Sequence, residues 1–253
     1  MTWKTAVLEA IGKVLPRTQY RRVAGSVIPS PRRRFCGPEF RDDAFYLKSA
    51  EGEAHRLTRR LGCTASSRIL DVGCGQGRLA IGLLRVLGEV HYLGIDVDRS
   101  SIAWCRRFIE RDHPSFRFTH CDVYNERYNR RGVRMGDGFR LDVEPGSIDI
   151  VYLFSVFSHT TEEDMRTYLK DFRRVLGKGG KVFFTTFVEE RVPEISINPE
   201  NYRLRCTGPL HVVRYEQRYL FSLLEQLGYA VLAFTQGTEV DGQSAIYLER
   251  AHG

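Results

Sequence analysis

The run Ile69-Leu70-Asp71-Val72-Gly73-Cys74-Gly75-Gln76-Gly77-Arg78 decides how this chain is read. It begins as a buried strand and carries an acid at the strand's end. It then turns on three alternating glycines into an apolar helical pattern. Glycine has no Cβ, so a ligand can approach the backbone closely and the chain can reach positive φ. A strand feeding a glycine turn and then a helix is the nucleotide-binding corner of an open α/β sheet.

On both sides of that corner strand and helix alternate. Strand patterns fall at 67–72, 90–97, 116–123, 148–157 and 181–188, and helical patterns at 77–87, 99–111 and 162–176. A further helix is expected at about 50–61, stopped by Gly62. Asp98 is placed to cap the second of the three helices, and Thr160 with Glu163 resembles a capping box for the third. Such alternation implies a mostly parallel sheet with helices on both faces. After a helix at about 214–227, strands at 230–235 and 244–249 are separated by too few residues for a crossover. The last pair is therefore expected to be antiparallel. Two long linkers, 124–147 and 189–213, reach the carboxyl ends of strands, where an open sheet binds its ligands. They are expected to cap the substrate.

The 253 residues suit one α/β domain with additions, and the 42% apolar content supports a sizeable core. No apolar run reaches the ~18 residues needed to span a bilayer. Residues 1–15 lack a secretory cleavage pattern. The six cysteines form no Cys-x-x-Cys pair, which argues against a structural zinc and suits reduced thiols in a cytoplasmic setting. Residues 10–38 hold seven basic residues (Lys13, Arg17, Arg21, Arg22, Arg32, Arg33 and Arg34) and no acid, against a net charge of +7 for the whole chain. The basic character thus belongs to an N-terminal extension, 1–49, with a domain from 50 to 253. Residues 3–15 read as a short amphipathic helix, Pro16 ends it, and 17–40 read as irregular. The extension is either an arm packed on its own domain or a surface for nucleic acid, anionic lipid or an anionic substrate.

A dinucleotide fingerprint needs a glycine where Arg78 stands. Asp71, two residues before the first glycine, would face a pyrophosphate badly but suits a ligand bearing an ammonium group. Asp96 closes the second strand, where an acid can accept from both ribose hydroxyls. Asp122 closes the third, within reach of a base amino group.

The chain here resembles the class I S-adenosylmethionine-dependent methyltransferase superfamily over about residues 50–250. The resemblance rests on Leu70-Asp71-Val72-Gly73-Cys74-Gly75-Gln76-Gly77, on Gly94-Ile95-Asp96-Val97, on Cys121-Asp122-Val123 and on Leu176-Gly177-Lys178-Gly179-Gly180-Lys181. It implies a Rossmann-like, seven-stranded, mostly parallel sheet ending in an antiparallel hairpin, with S-adenosylmethionine as the cofactor. It further implies that Gly73, Cys74, Gly75 and Gly77 line the methionine moiety with Asp71 near its amino group. Asp96 would then hold the ribose, Val97 and Val123 flank the adenine with Asp122 at its edge, and Phe154 meet the cofactor from the fourth strand. Each residue also has a plainer reading: glycines that serve only the turn, valines that are core, and an acid that caps a strand.

The acceptor is less constrained. The segment Tyr152-Leu153-Phe154-Ser155-Val156-Phe157-Ser158-His159-Thr160 lacks the Asn/Asp-Pro-Pro-Tyr/Phe of enzymes that methylate base amino groups. His159 is either a general base for a hydroxyl acceptor or a helix-start histidine bonded to backbone. Glu189, Glu190 and His211 are further candidates. Asp122-Val123-Tyr124-Asn125 with Tyr128 and Asn129 resembles a bacterial subgroup acting on sugars and other small molecules. Tyr124, Asn125, Tyr128 and Asn129 either meet a polar acceptor or fold their loop. The expectation is O-methylation of a small-molecule, sugar or lipid-linked acceptor. The competing readings are an RNA or DNA methyltransferase and a module that holds the cofactor without turnover.

Overall fold

A computed structural model describes residues 19–35, 37–136 and 138–251. The amphipathic helix expected at 3–15 lies outside the described residues. Strands β1 (Tyr20–Val23) and β2 (Ser26–Pro29) form an antiparallel hairpin where irregular chain was expected. Ala24 and Gly25 both take positive φ and make the two-residue turn. Helix α1 runs Asp43–Arg56, longer at its start than expected. The reason is Asp42, whose side chain accepts from Phe45 N–H at 2.8 Å and caps the helix.

The main elements are β3 (Arg68–Val72), α2 (Arg78–Val86), β4 (His91–Asp96), α3 (Arg99–Cys105), β5 (Phe116–His120), β6 (Ile148–Leu153), α4 (Glu162–Val175), β7 (Leu176–Glu189), β8 (Ile195–Ile197), β9 (Val213–Glu216), α5 (Gln217–Gln226), β10 (Tyr229–Thr235) and β11 (Ser244–Arg250). The sheet order is β10-β11-β7-β6-β3-β4-β5. Strands β7, β6, β3, β4 and β5 are parallel, and β10 and β11 close the edge antiparallel, as expected.

Three details differ from the sequence reading. The sheet has nine strands, because β9 pairs with β7 and β8 with β9. Strand β7 outruns β6, whose pairing ends at Phe184, and β11, whose pairing ends at Thr186. The unpaired backbone from Phe187 onward needs a partner and takes β9. Part of the linker 189–213 is therefore strand, and α5 starts at 217. The cap of α4 is Thr161, not Thr160: Thr161 Oγ1 accepts from Asp164 N–H at 3.1 Å.

Side chains of successive strand residues leave opposite faces. Ile69, Ile150, Tyr152, Phe183 and Tyr247 pack under α1, α2 and α3. Leu70, Val151, Leu153, Phe184 and Leu248 pack under α4 and α5. Each such large apolar side chain, fully buried, stabilises the fold by about 1.5–3 kcal/mol. Gly82 lets α2 meet α1 closely, since a Cβ there would sit 1.9 Å from the Ala50 carbonyl oxygen. Among the described residues no helix is long and apolar enough to cross a membrane.

Candidate active site

At the carboxyl ends of β3, β4 and β6 lies a cavity of about 470 Å³. That is within the usual size of a small-molecule site. One end is built by the glycine loop. Gly73 N–H and Cys74 N–H both donate to the Ile95 carbonyl, at 2.8 and 3.1 Å, which ties the loop across to β4. Gly73 has φ +76°, and a Cβ there would lie 2.4 Å from Val156 Cγ2. This glycine is therefore needed for both its backbone angle and its neighbour.

Asp96 Oδ2 accepts from Gly75 N–H at 2.7 Å, and Oδ1 accepts from Asp98 N–H at 2.8 Å. Burial raises its pKa, and these two donors oppose the rise. Each oxygen keeps acceptor capacity for a ligand hydroxyl. Asp71 is fully enclosed, and its pKa is pushed up to about 7 by burial, against a 2.5 Å hydrogen bond from Tyr92 Oη and the charge of Arg78. A buried carboxylate so placed is short of positive charge, and a ligand ammonium would supply it.

At the other end His159 sits on a short 3₁₀ turn, Phe157–His159. Its Nδ1 lies 3.0 Å from the Leu210 carbonyl and its Nε2 lies 3.4 Å from Ser155 Oγ. A carbonyl only accepts, so Nδ1 carries the proton and Nε2 is the acceptor nitrogen. Burial pushes the His159 pKa down to about 4, so the ring is neutral near pH 7. Tyr128 meets His159 edge to face with ring centres 5.9 Å apart, and His211 does so at 6.4 Å. Arg127 Nη1 donates to the Thr207 carbonyl at 2.8 Å, joining the loop after β5 to the loop before β9. Thr160 is among the lining residues, but its Oγ1 is buried and has no hydrogen-bond partner.

The cavity wall thus brings together Asp71, Gly73, Cys74, Gly75, Asp96, Val97, Val123 and Phe154 with Tyr124, Asn125, Tyr128, His159 and His211. Five expected residues, Gly77, Asp122, Asn129, Glu189 and Glu190, do not reach it. Gly77 begins α2 at φ +72°, and a Cβ there would meet Ile109 Cδ1 at 2.7 Å, so it serves turn and packing. Asp122 is turned to solvent, held by Asn129 Nδ2 at 3.0 Å and Arg99 at 3.5 Å. Asn129 is spent on Asp122 and on the Val123 carbonyl. Asn125 lines the wall but folds its loop: Oδ1 accepts from Arg127 and Tyr128 N–H, and Nδ2 donates to the His159 carbonyl at 2.9 Å. Glu189 is held by Tyr202 Oη and Arg214.

Two residues named in the sequence but not assigned to the site also line the cavity. Arg78 stacks on Phe154, its guanidinium 4.4 Å from the ring centre, and lies 3.9 Å from Glu53. Its place directly after Gly77 was the available signal. Arg34, from the basic segment, is buried against Tyr46. It donates to the Pro29 and Phe40 carbonyls and to Asp43 at 2.6 Å. Arg33 donates to Ser100 Oγ, and Arg21 pairs with Asp43. Arg34 and Arg21 are partnered within the N-terminal segment and Arg33 reaches Ser100 of the domain, so these three are not displayed as a row of free phosphate-binding groups. Among the described residues no cluster of His, Cys, Asp or Glu could hold a metal ion.

Comparison with known proteins agrees with this geometry. Residues 69–180 match the family described as "Methyltransferase domain". An O-methyltransferase of Aspergillus nomiae is 27% identical over 209 residues, covering 81% of this chain and 84% of that protein. The ubiquinone biosynthesis O-methyltransferase of Acinetobacter baumannii is 27% identical over 158 residues, 62% of this chain but only 56% of that enzyme's length. The solved glycopeptide N-methyltransferase MtfA superposes with a TM-score of 0.57 at 18% identity, over 79% of this chain and 90% of that one, which speaks for the fold alone. The family match spans the strand–glycine–helix corner, so residues 69–180 resemble a methyltransferase domain, as the sequence motifs of the class I S-adenosylmethionine-dependent methyltransferase superfamily led one to expect.

Proposed function

We propose that the protein methylates a hydroxyl oxygen of a small, ring-bearing acceptor, with His159 as general base. The observation that carries this is His159 on the cavity wall, its Nδ1 tied to the Leu210 carbonyl and its Nε2 left as an acceptor. Alkyl transfer to a hydroxyl needs its proton removed, and a positioned imidazole nitrogen does this. The surrounding wall of Tyr124, Tyr128, Phe187 and His211 suits a flat or cyclic body. The names of two relatives, an O-methyltransferase and a ubiquinone biosynthesis O-methyltransferase, support oxygen as the acceptor atom.

S-adenosylmethionine supplies, when bound, a methyl group already activated on a sulfonium. The residues present fit it. Asp96 would hold the ribose hydroxyls, Asp71 and the Gly73–Gly75 backbone the methionine end, and Val97 and Val123 the two faces of the adenine. Phe154 would lie along the cofactor. The loops 124–147 and 189–213, joined through Arg127, would close over the acceptor, align it and exclude water.

The test is transfer of labelled methyl from S-adenosylmethionine to panels of phenols, hydroxylated sugars and lipid-linked sugars, with structured RNA as the contrasting substrate. His159→Gln is expected to cut kcat about 10²–10⁴-fold while S-adenosylmethionine affinity by calorimetry stays within about twofold. Methylation confined to nitrogen, carbon or RNA, or an active His159→Gln enzyme, would overturn the reading.

A further inference from the structure

Ser155 follows β6 and has φ +58°, in the left-handed region that a residue with a side chain seldom enters. Something must hold it there. Its N–H donates to Thr185 Oγ1 at 2.8 Å. The Thr185 hydroxyl donates in turn to Gln243 Oε1 at 2.8 Å, and Gln243 Nε2 donates to Ser155 Oγ, also at 2.8 Å. The ring closes on the residue where it began. Thr185 and Gln243 are buried, at 0% and 2% exposure, so water cannot substitute for a missing member.

The count of hydrogens then has one solution. Either of Ser155 Oγ and the buried Ser158 Oγ, 3.2 Å apart, could donate to the other, and donation by Ser158 is the choice that leaves neither hydrogen unused. Ser155 Oγ has two lone pairs, filled by Gln243 and Ser158, and one hydrogen. That hydrogen has His159 Nε2 at 3.4 Å to receive it. The opposite orientation of the Gln243 amide would leave Thr185 with two donors and no acceptor for its own hydrogen, and would turn Ser155 away from His159.

We infer that Thr185, Gln243 and Ser155 form a one-way hydrogen-bond chain that points the Ser155 hydroxyl at His159 Nε2 and so keeps that nitrogen facing the cavity as an acceptor. Thr185 and Gln243 are positioning residues acting through Ser155. The inference rests on the proposed role of His159 and adds to it. The bond to Nε2 is long, so an acceptor hydroxyl can take Ser155's place, donating to Nε2 while the Ser155 hydroxyl turns to donate to the same acceptor oxygen. The other groups facing the ring are Arg127 and Tyr128 from the loop after β5 and His211 from the loop before β9. Arg127 and His211 oppose protonation of His159.

The first experiment needs neither cofactor nor acceptor, so its outcome is separate from that of the O-methylation reading. It is ¹⁵N NMR of the histidine-labelled full chain, with His159 assigned by its loss in His159→Gln. The expected wild-type signature is protonated Nδ1 and hydrogen-bonded, unprotonated Nε2. In Ser155→Ala and Gln243→Met the Nε2 resonance should move, and the titration midpoint of His159 should rise by about 0.5–1 pH unit, because a donor to the neutral form has gone. Ser155→Gly separates hydroxyl from backbone: glycine accepts φ +58° more readily than alanine, so a purely structural Ser155 predicts wild-type behaviour from glycine. The chain predicts that glycine and alanine titrate alike. A wild-type Nε2–H tautomer, an unmoved resonance in Gln243→Met, or a wild-type titration in Ser155→Gly would each overturn the inference. With an acceptor in hand, Gln243→Met should lower kcat more than it raises KM, and equal changes would count against it.

Discussion

The donor end and the acceptor end of this one cavity are held by different kinds of bond. At the donor end the loop after β3 is tied to the adjacent strand β4: Gly73 and Cys74 N–H donate to the Ile95 carbonyl, and Gly75 N–H donates to the Asp96 carboxylate. At the acceptor end they are side chains reaching backbone far away in sequence. Arg127 reaches the Thr207 carbonyl 80 positions on, His159 the Leu210 carbonyl 51 on, and Asn125 the His159 carbonyl 34 on. A site made of sheet geometry is specified wherever the strands are. A site made of side-chain ties can be refitted to a new acceptor by changing a few loop residues.

The sharpest way to break that comparison is at Asp96. Asp96→Ala removes the acceptor for two loop N–H groups and the proposed ribose partner. Affinity for S-adenosylmethionine by calorimetry should fall about 100-fold, the equivalent of two charge-assisted hydrogen bonds at roughly 1.5 kcal/mol each. Asp122→Ala is the contrast, because Asp122 faces solvent on Asn129 and Arg99. Its effect should stay within about twofold, as for most exposed pairs. Equal losses in the two variants would mean that Asp122 swings in to meet the adenine.

This pair of acids also shows what a sequence can and cannot say. That Asp71, Asp96, Gly73 and Gly75 would lie on the cavity wall was legible because the alternation of strand and helix fixes where strands end, and ligands gather at those ends. Asp122 obeys the same rule of position, yet its side chain is taken by Asn129, seven residues on, which no pattern of spacing announces. The acceptor end was legible only as residue types near the right strand. His159 could be named, but not the Leu210 carbonyl that sets its tautomer. The Thr185–Gln243–Ser155 ring was invisible, since its members come from β7, from the turn before β11 and from the end of β6. The hairpin β1–β2 was missed because Pro29, Pro31 and Pro38 outweighed the Ala24-Gly25 turn.

A smaller effect is expected at the tie between the two cap loops. Arg127→Met keeps the length of the side chain and loses its bonds to Thr207 and Tyr128. Acceptor KM should rise about 5–10-fold, the value of roughly one net hydrogen bond, while S-adenosylmethionine affinity is unchanged. Loss of the Arg127 charge should also move the acid limb of the pH–rate profile upward, since that charge holds the His159 pKa down. A cofactor affinity that falls in step with acceptor binding would mean that the two ends are one mechanical unit.

The smallest effect is one of stability, at Asp71. Its folded pKa, about 7, lies above the ordinary carboxylate value because burial disfavours the charge. The sign follows: the folded state binds the Asp71 proton more tightly than the unfolded chain does. The stability linked to it is whole below about pH 4, the unfolded pKa, and is lost as pH rises through about 7. Asp71→Asn abolishes that loss, since the amide cannot ionise and its oxygen still accepts from Tyr92 Oη. The cofactor-free variant should therefore melt higher than wild type at pH 8, by about 2–4 °C for each kcal/mol recovered, and no higher at pH 4. S-adenosylmethionine should reverse the order at pH 8, because its ammonium stabilises the ionised wild-type carboxylate and gains less from the amide. If the cofactor raised both melting points equally, Asp71 would be a structural acid and the donor end would hold its ligand through backbone and Asp96 alone.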